Sequence, residues 1–208
     1  MNGALVQARI YAGYGKTADK VGFVYAHYRS ATPINPLHTD NLLEPINAAF
    51  STLTRPFMAY AKWSDETWIA HADGRRLQPH DFLVGPGGTY YIGDMQPLLP
   101  IQAVRCTHVA AKIERPIYVT GSLQQGSELV ASGLPFGLKL KSVNVKVPIG
   151  AANTAGVGVS NWLAFIPIAE TTLKRNDLIT DTEGVQYEVD APAWTPMGYV
   201  AQVRLANP

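Results

Sequence analysis

Leu77-Gln-Pro-His-Asp81 runs on through Phe82-Leu83-Val84 to Gly87-Gly88-Thr89-Tyr90-Tyr91, and a second version follows later in the chain. There Leu173-Lys-Arg-Asn-Asp177 precedes Leu178-Ile179-Thr180, then Glu183-Gly184-Val185-Gln186-Tyr187. A gapless shift of 96 places Asp81 on Asp177, Gly88 on Gly184, Tyr91 on Tyr187, Asp94 on Asp190 and Pro100 on Pro196. Those are five identities in 20 positions, where chance gives about one. Upstream, Trp68-Ile-Ala-His71 echoes Trp162-Leu-Ala-Phe165 once two residues are inserted. Each residue type has a reason to recur. Asp opens a turn by accepting backbone N–H groups beyond it, an apolar pair enters a core, Gly makes a hairpin reversal, and Tyr packs across the returning strand. The repeat therefore predicts two related β modules.

Working outward, the rest of the chain from Phe57 onward alternates short apolar runs with Gly, Pro and Asp turns, a β pattern. Tyr90–Ile92, Ile117–Val119 and Val143–Val147 are strand candidates, with a bulge expected near Lys141. Residues 4–24 have helical spacing through Leu5, Val6, Ile10, Ala18 and Val21, and Gly13 and Gly15 predict a break into two short helices. From Tyr25 to Pro56, four prolines (Pro33, Pro36, Pro45, Pro56) predict an extended arm, with one helical turn within Asn41–Phe50. The expected fold is mainly β: two related barrel-like β modules preceded by a short helical N-terminal arm. The expected boundaries are 1–56 for the helical segment and arm, 57–116 for the first module and 117–208 for the second.

Composition narrows the function. The 208 residues are 47% hydrophobic and 16% charged, with a net charge of +1, against a usual charged share of about 25%. A thinly charged surface suits a subunit covered by neighbours, and near-neutrality argues against many phosphate contacts to DNA. Met1–Val6 has no basic start, no apolar run approaches the length of a membrane span, and Cys106 stands alone in an apolar run. No signal peptide, membrane segment or internal disulfide is expected.

The motifs that could carry chemistry fall short of it. Gly13-Tyr-Gly15-Lys16-Thr17 resembles the end of a phosphate loop, but Ile10 stands where that loop needs glycine. Gly85-Pro86-Gly87-Gly88 lies between two strand runs and reads as a hairpin. His27, His38, His71, His80 and His108 form no metal-ligand pair at useful spacing. Asp65 and Glu66 are adjacent and would face opposite ways on a strand. Cys106 reads as an inert buried thiol. No catalytic, cofactor-binding or metal residue is assigned, and the chain is not expected to be an enzyme.

Ile10-Tyr-Ala-Gly-Tyr-Gly-Lys-Thr-Ala18, Val21-Gly22, Tyr28-Arg29 and Pro36-Leu37 resemble the opening of a group of tailed-bacteriophage virion proteins. Asp81-Phe-Leu-Val84, Gly88-Thr-Tyr-Tyr-Ile92, Met95–Pro100, Val104-Arg-Cys106 and Arg115-Pro116 continue that likeness. Asp177–Val189 is similar to small head-closure or head–tail joining modules, with Asn176-Asp177 where those modules usually have Gly-Asp. The resemblance implies a neck protein of the collar, stopper or gateway type, structural and not catalytic, forming a six- or twelve-fold ring of copies of itself. Its implied partners are a portal or adaptor protein, a tail tube or terminator protein, and genomic DNA passing through the channel without sequence-specific binding. Its implied location is the virion, after synthesis in the bacterial cytoplasm. The alternatives are a tail-terminator or baseplate protein, and a carbohydrate-binding or hydrolase tail domain using Trp63, Trp68, Trp162 or Trp194. Interaction residues are placed at Tyr28 and Arg29 and in the uncharged, glycine- and alanine-rich stretch from Pro148 to Ser160: Gly150, Ala151, Ala152, Asn153, Thr154, Gly156 and Gly158. That stretch is expected to touch another subunit or line the channel.

Overall fold

The computed structural model describes residues 3–52, 67–119, 123–140, 162–168 and 172–206. The chain is mainly β, with one N-terminal helix followed by two closed six-stranded barrels. The helix, α1 (Gly3–Val21), runs unbroken through Gly13 and Gly15. Packing against the first barrel explains why the predicted break is absent at Gly15. A Cβ on Gly15 would lie 3.1 Å from the Asp73 Cβ, and the Tyr11 ring lies over Gly74. At Gly15 these close contacts offset the roughly 1 kcal/mol helix penalty of a glycine, whereas a Cβ on Gly13 would meet nothing within 4 Å. At the helix end, Gly22 N–H donates to the Ala18 carbonyl at 2.8 Å, and the chain turns directly into the first strand.

The first barrel contains β1 (Phe23–Tyr28), β2 (Ile46–Thr52), β3 (Thr67–Ala72), β4 (Phe82–Gly85), β5 (Gly88–Asp94) and β6 (Ile101–Cys106). The second contains β7 (His108–Val119), β8 (Leu123–Leu140), β9 (Trp162–Ile166), β10 (Leu178–Thr180), β11 (Gln186–Thr195) and β12 (Gly198–Leu205). Neighbours around the first barrel run β1-β2-β3-β6-β5-β4, and around the second β7-β8-β9-β12-β11-β10. The two orders are identical strand for strand, and every pairing is antiparallel.

These strands redraw the expected boundaries. Two strands of the first barrel lie inside the segment read as an arm, and the second barrel begins at His108, not at 117. Pro33, Pro36 and Pro45 misled the reading because all three fall in the long β1–β2 connection, where they interrupt nothing. Asn41–Phe50 holds the end of a 3-10 turn (Thr39–Asn41) and most of β2. The candidates Tyr90–Ile92 and Ile117–Val119 lie in β5 and β7. Val143–Val147 and Lys141 lie outside the described residues.

The duplication is present, but its register differs from the gapless one by a residue. His80 N–H donates to the Ile92 carbonyl and Ile92 N–H to the Asp81 carbonyl. Asn176, Val189 and Asp177 make the same two bonds. Val189, not Glu188, is thus the counterpart of Ile92, because the β10–β11 turn is one residue longer than the β4–β5 turn. Leu83 pairs with Tyr90 as Ile179 pairs with Tyr187, so Tyr187 corresponds to Tyr90 and not to Tyr91. Both barrels then bulge at the next residue, between Ile92 and Asp94 and between Val189 and Ala191. The tryptophan echo holds. Trp68 pairs with Ala103, the partner of Ile92, and Trp162 pairs with Val203, the partner of Val189. Each tryptophan meets its tyrosine edge-on, Trp68–Tyr90 at 6.0 Å and Trp162–Tyr187 at 6.3 Å.

One core fills the first barrel with Tyr25, Ile46, Leu83, Tyr90, Ile92 and Ile101. The other fills the second barrel and also takes in Phe82, Tyr91, Val104 and Cys106 from the first. Consecutive residues point to opposite faces of a strand. Leu83, Tyr90 and Ile92 therefore point into the first barrel, while Phe82 and Tyr91 point out of it onto the second. This double coverage is why Tyr90-Tyr91-Ile92 is apolar without alternation. A single residue, Thr107, joins the barrels, and its hydroxyl accepts from Leu138 N–H at 2.9 Å.

Candidate functional site

Each barrel is closed by the pairing of its first and fourth strands, and an Arg–Asp clasp sits at the end of each seam. Arg29 immediately follows β1, and Asp81 immediately precedes β4. The Arg29 guanidinium donates to both Asp81 carboxylate oxygens at 2.7 Å and to the Arg76 carbonyl at 3.0 Å. In the second barrel Arg115 donates to Asp177 at 2.9 and 3.0 Å and to the Thr172 carbonyl at 2.8 Å. Gln78 N–H caps Asp81 and Lys174 N–H caps Asp177, each at 2.7 Å. The residue before each aspartate has a left-handed backbone, His80 at φ 71° and Asn176 at φ 68°. Both carboxylates are buried, Asp81 at 1% and Asp177 at 0% exposure. Burial by itself would raise the Asp81 carboxyl, but bonds from Arg29, His27 and Gln78 hold it below its ordinary value. The same pairing raises both arginines.

His27 is specific to the first clasp, with Nε2 2.8 Å from Asp81 Oδ2. At 2% exposure it faces the barrel interior, so it serves the clasp and is closed to a substrate. The other histidines are dispersed. His38 caps the 3-10 turn, His71 bonds the Ser51 hydroxyl and meets the Tyr14 ring edge-on, and His108 stacks on Phe136. Half-buried His80 has an Nδ1 without a partner among the described residues, and burial lowers its pKa. No group of three or more His, Cys, Asp or Glu among the described residues could hold a metal. Gly13–Thr17 lies in mid-helix, not between a strand and a helix. Gly85 pairs with Gly88 across the β4–β5 hairpin.

Of the interaction residues read from the sequence, Arg29 is held within the chain by its clasp, and Tyr28 packs against the second barrel's core while bridging to Leu42. Gly150, Ala151, Ala152, Asn153, Thr154, Gly156 and Gly158 lie outside the described residues. Trp68 and Trp162 pack in their barrels, Trp63 lies outside the described residues, and Trp194 is 61% exposed near the tip of the β11–β12 hairpin.

Two surface features went unread in the sequence. The first is an open cleft of about 510 Å³ between α1 and β2, lined by Lys16, Val24, Pro45, Asn47, Arg75 and Arg76 among others. Arg75 is held by Asp73 in a forked pair, which lowers the Asp73 carboxyl. Arg76 donates to the carbonyls of Glu44 and Pro45 at 3.2 and 3.1 Å. Lys16 has no ion-pair partner among the described residues. Val21, Phe23 and Val24 are exposed beside the cleft. The second feature is the far part of the β7–β8 hairpin. β10 pairs with β7 only as far as Glu114. Beyond that residue β7 and β8 continue as a two-stranded ribbon carrying exposed Ile117 and Tyr118. From Pro116 to Ser127 no residue bears a charge, and that blank stretch was the available signal.

No family model, no curated protein and no solved structure matches this chain. Among the described residues no helix is long and apolar enough to cross a membrane.

Proposed function

We propose that the chain is a structural, ring-forming component of the tailed-phage neck. It joins the portal or adaptor to the tail and helps to retain DNA. The observation that carries this reading is the pair of closed barrels, identical in strand order, joined by one residue and sharing a core. Such a body suits a rigid building block. Its long polar clasps are enclosed and spent on holding barrel seams. Its exposed groups are apolar and uncharged along the β7–β8 ribbon, the composition of a surface awaiting a protein neighbour. The sequence likeness of residues 8–116 to tailed-phage virion proteins supplies the setting. The near-neutral chain suits a channel through which DNA slides without being gripped.

Imaging of purified virions, with the chain identified by mass spectrometry and an epitope label, tests the reading. A closed ring between portal and tail tube is expected. Label at the tail end or baseplate would move the chain to a tail-terminator or baseplate role, and absence from virions would overturn the reading. Trp194 favours one second reading, a carbohydrate-binding tail domain, because an exposed indole can stack on a sugar ring. Glycan binding abolished by Trp194→Ala, in a chain located at the tail tip, would establish that alternative.

A further inference from the structure

The two barrels present equivalent strand surfaces that are covered differently. In the first, α1 lies along β2, with Asn47 donating to Asp19 at 2.8 Å, and an open cleft remains between them. In the second barrel, β8 is covered by the first barrel's β1–β2 connection. Asn35 N–H donates to the Ser132 carbonyl at 2.7 Å, and Ser132 N–H to the Pro33 carbonyl at 3.3 Å. Beside this contact Leu134 and the connection enclose a cavity of about 30 Å³, room for about one water.

The counterpart of Leu134 in the first barrel is Ile46. Ile46 pairs with Tyr25, four residues before Arg29, as Leu134 pairs with Ala111, four residues before Arg115. Residues 45–47 thus hold the place that residues 133–135 hold in the second barrel. Here they line the open 510 Å³ cleft beside α1.

The counterpart of the covering connection is also free. Arg29 starts the β1–β2 connection, and Arg115 stands at the root of the β7–β8 ribbon. The connection folds back onto β8. Beyond Glu114 neither edge of the ribbon pairs with another strand among the described residues, and Ile117 and Tyr118 are 49% and 58% exposed. The two are adjacent on β7, at a register shift against β8. A two-stranded ribbon is marginal in water without further packing.

We propose that the β7–β8 ribbon of one copy docks in the α1–β2 cleft of a second copy. The docking repeats between chains the contact that the β1–β2 connection makes on β8 within one chain. It is head-to-tail, because the ribbon belongs to the second barrel and the cleft to the first. The match is one of shape and not of charge: Glu128 at the ribbon root is already paired with Arg115 at 3.7 Å, and from Pro116 to Ser127 the ribbon carries no charge. The contact rests on the equivalence of the two barrels, while its closure into a ring rests on the neck reading.

The test uses the full chain. One preparation carries Tyr118→Cys and the other Asn47→Cys, and the two are mixed under mild oxidation. A disulfide-linked dimer is expected in the mixture and in neither preparation alone. In sedimentation equilibrium the unaltered chain associates with rising concentration. Tyr118→Asp on the ribbon and Val24→Asp at the cleft each weaken that association about tenfold or more, whereas Leu99→Asp, exposed elsewhere, does not. Tyr118, Val24 and Leu99 are exposed and Asn47 is half-buried, and circular dichroism checks that each variant is folded. A chain that stays monomeric, an association indifferent to both ribbon and cleft variants, or the absence of the mixed disulfide overturns the proposal. Failure of the neck reading looks different: the mixed disulfide forms, but the chain is absent from virions. A Tyr118→Asp chain that still builds neck rings sinks the docking and leaves the neck reading standing.

Discussion

His27 and Ile113 occupy one position in the two barrels, two residues before the clasp arginine and opposite Leu83 and Ile179. One is polar and bonded to the clasp aspartate, and the other is apolar. Asp81 therefore has a side-chain donor besides Arg29, whereas among the described residues Asp177 has Arg115 and the Lys174 N–H.

That difference predicts unequal costs of removing the arginines. Arg115→Ala leaves Asp177 buried with its ionic partner gone and should cost about 3–5 kcal/mol. Arg29→Ala leaves His27 in place and should cost less. Urea titration of both variants gives the comparison, and equal losses would show that His27 contributes nothing to the clasp.

Acid should weaken the chain in two stages. His80 has its folded pKa lowered below the ordinary 6.5 by burial. As pH falls below 6.5 the unfolded chain takes up a proton that the folded chain does not, so stability declines with falling pH in that window. Asp81 has its folded pKa held below the ordinary 3.8. Its contribution is present above 3.8 and is lost as pH falls through the lower folded value. His80→Asn, which copies Asn176 and suits the positive φ, should remove the first stage and leave the second. Thermal midpoints measured from pH 7 to 3 would show a persistent first stage if His80 is not its source.

Gly22→Ala should destabilise by about 1–3 kcal/mol. A Cβ there would stand 2.6 Å from the backbone oxygens of both Ala18 and Ala48. Neither can move without parting α1 from β2. Denaturant unfolding checks the value, and an unchanged midpoint would show that the helix is not held so closely.

Phe136→Ala should cost about 3–5 kcal/mol and should lower both barrels together. Phe136 is buried in the core that also holds Tyr91 and Val104 of the first barrel. Near-ultraviolet circular dichroism and hydrogen exchange at β3 and β9 should give one shared transition. Separate midpoints for the two barrels would contradict a shared core.

The repeat was legible from Asp81 and Asp177, but the bonds run the other way from the expected ones. Each carboxylate accepts a backbone N–H three residues upstream, from Gln78 and Lys174, and not from N–H groups beyond it. The device is local and leaves a local mark in sequence. The paired tryptophans were legible for a similar reason, since Trp68 and Trp162 hold one place against one tyrosine. The matching of Tyr91 to Tyr187 failed because a gapless comparison cannot register a one-residue change in a hairpin turn. The two strands within the arm left no clear mark, because Pro33, Pro36 and Pro45 exclude strands only where they stand, and they stand in the connection between β1 and β2. The clasp arginines were out of reach: Arg29 lies 52 residues from Asp81 and Arg115 lies 62 from Asp177, and no local pattern ties them. The cleft brings α1 together with β2 and with Arg75 and Arg76 from distant parts of the chain, which only the folded chain displays, while the ribbon left the uncharged stretch from Pro116 to Ser127 as its one mark in sequence.

Thr107 is the whole of the tether between the barrels, and it is itself tied to β8. With Phe82, Tyr91, Val104 and Cys106 sunk in the neighbouring core, the angle between the barrels has no hinge about which to vary. In any array built by laying first barrel to second barrel, curvature is then inscribed inside each subunit. The number of copies needed to come full circle would be retuned by substitutions at this inner joint, without touching the surface where copies meet.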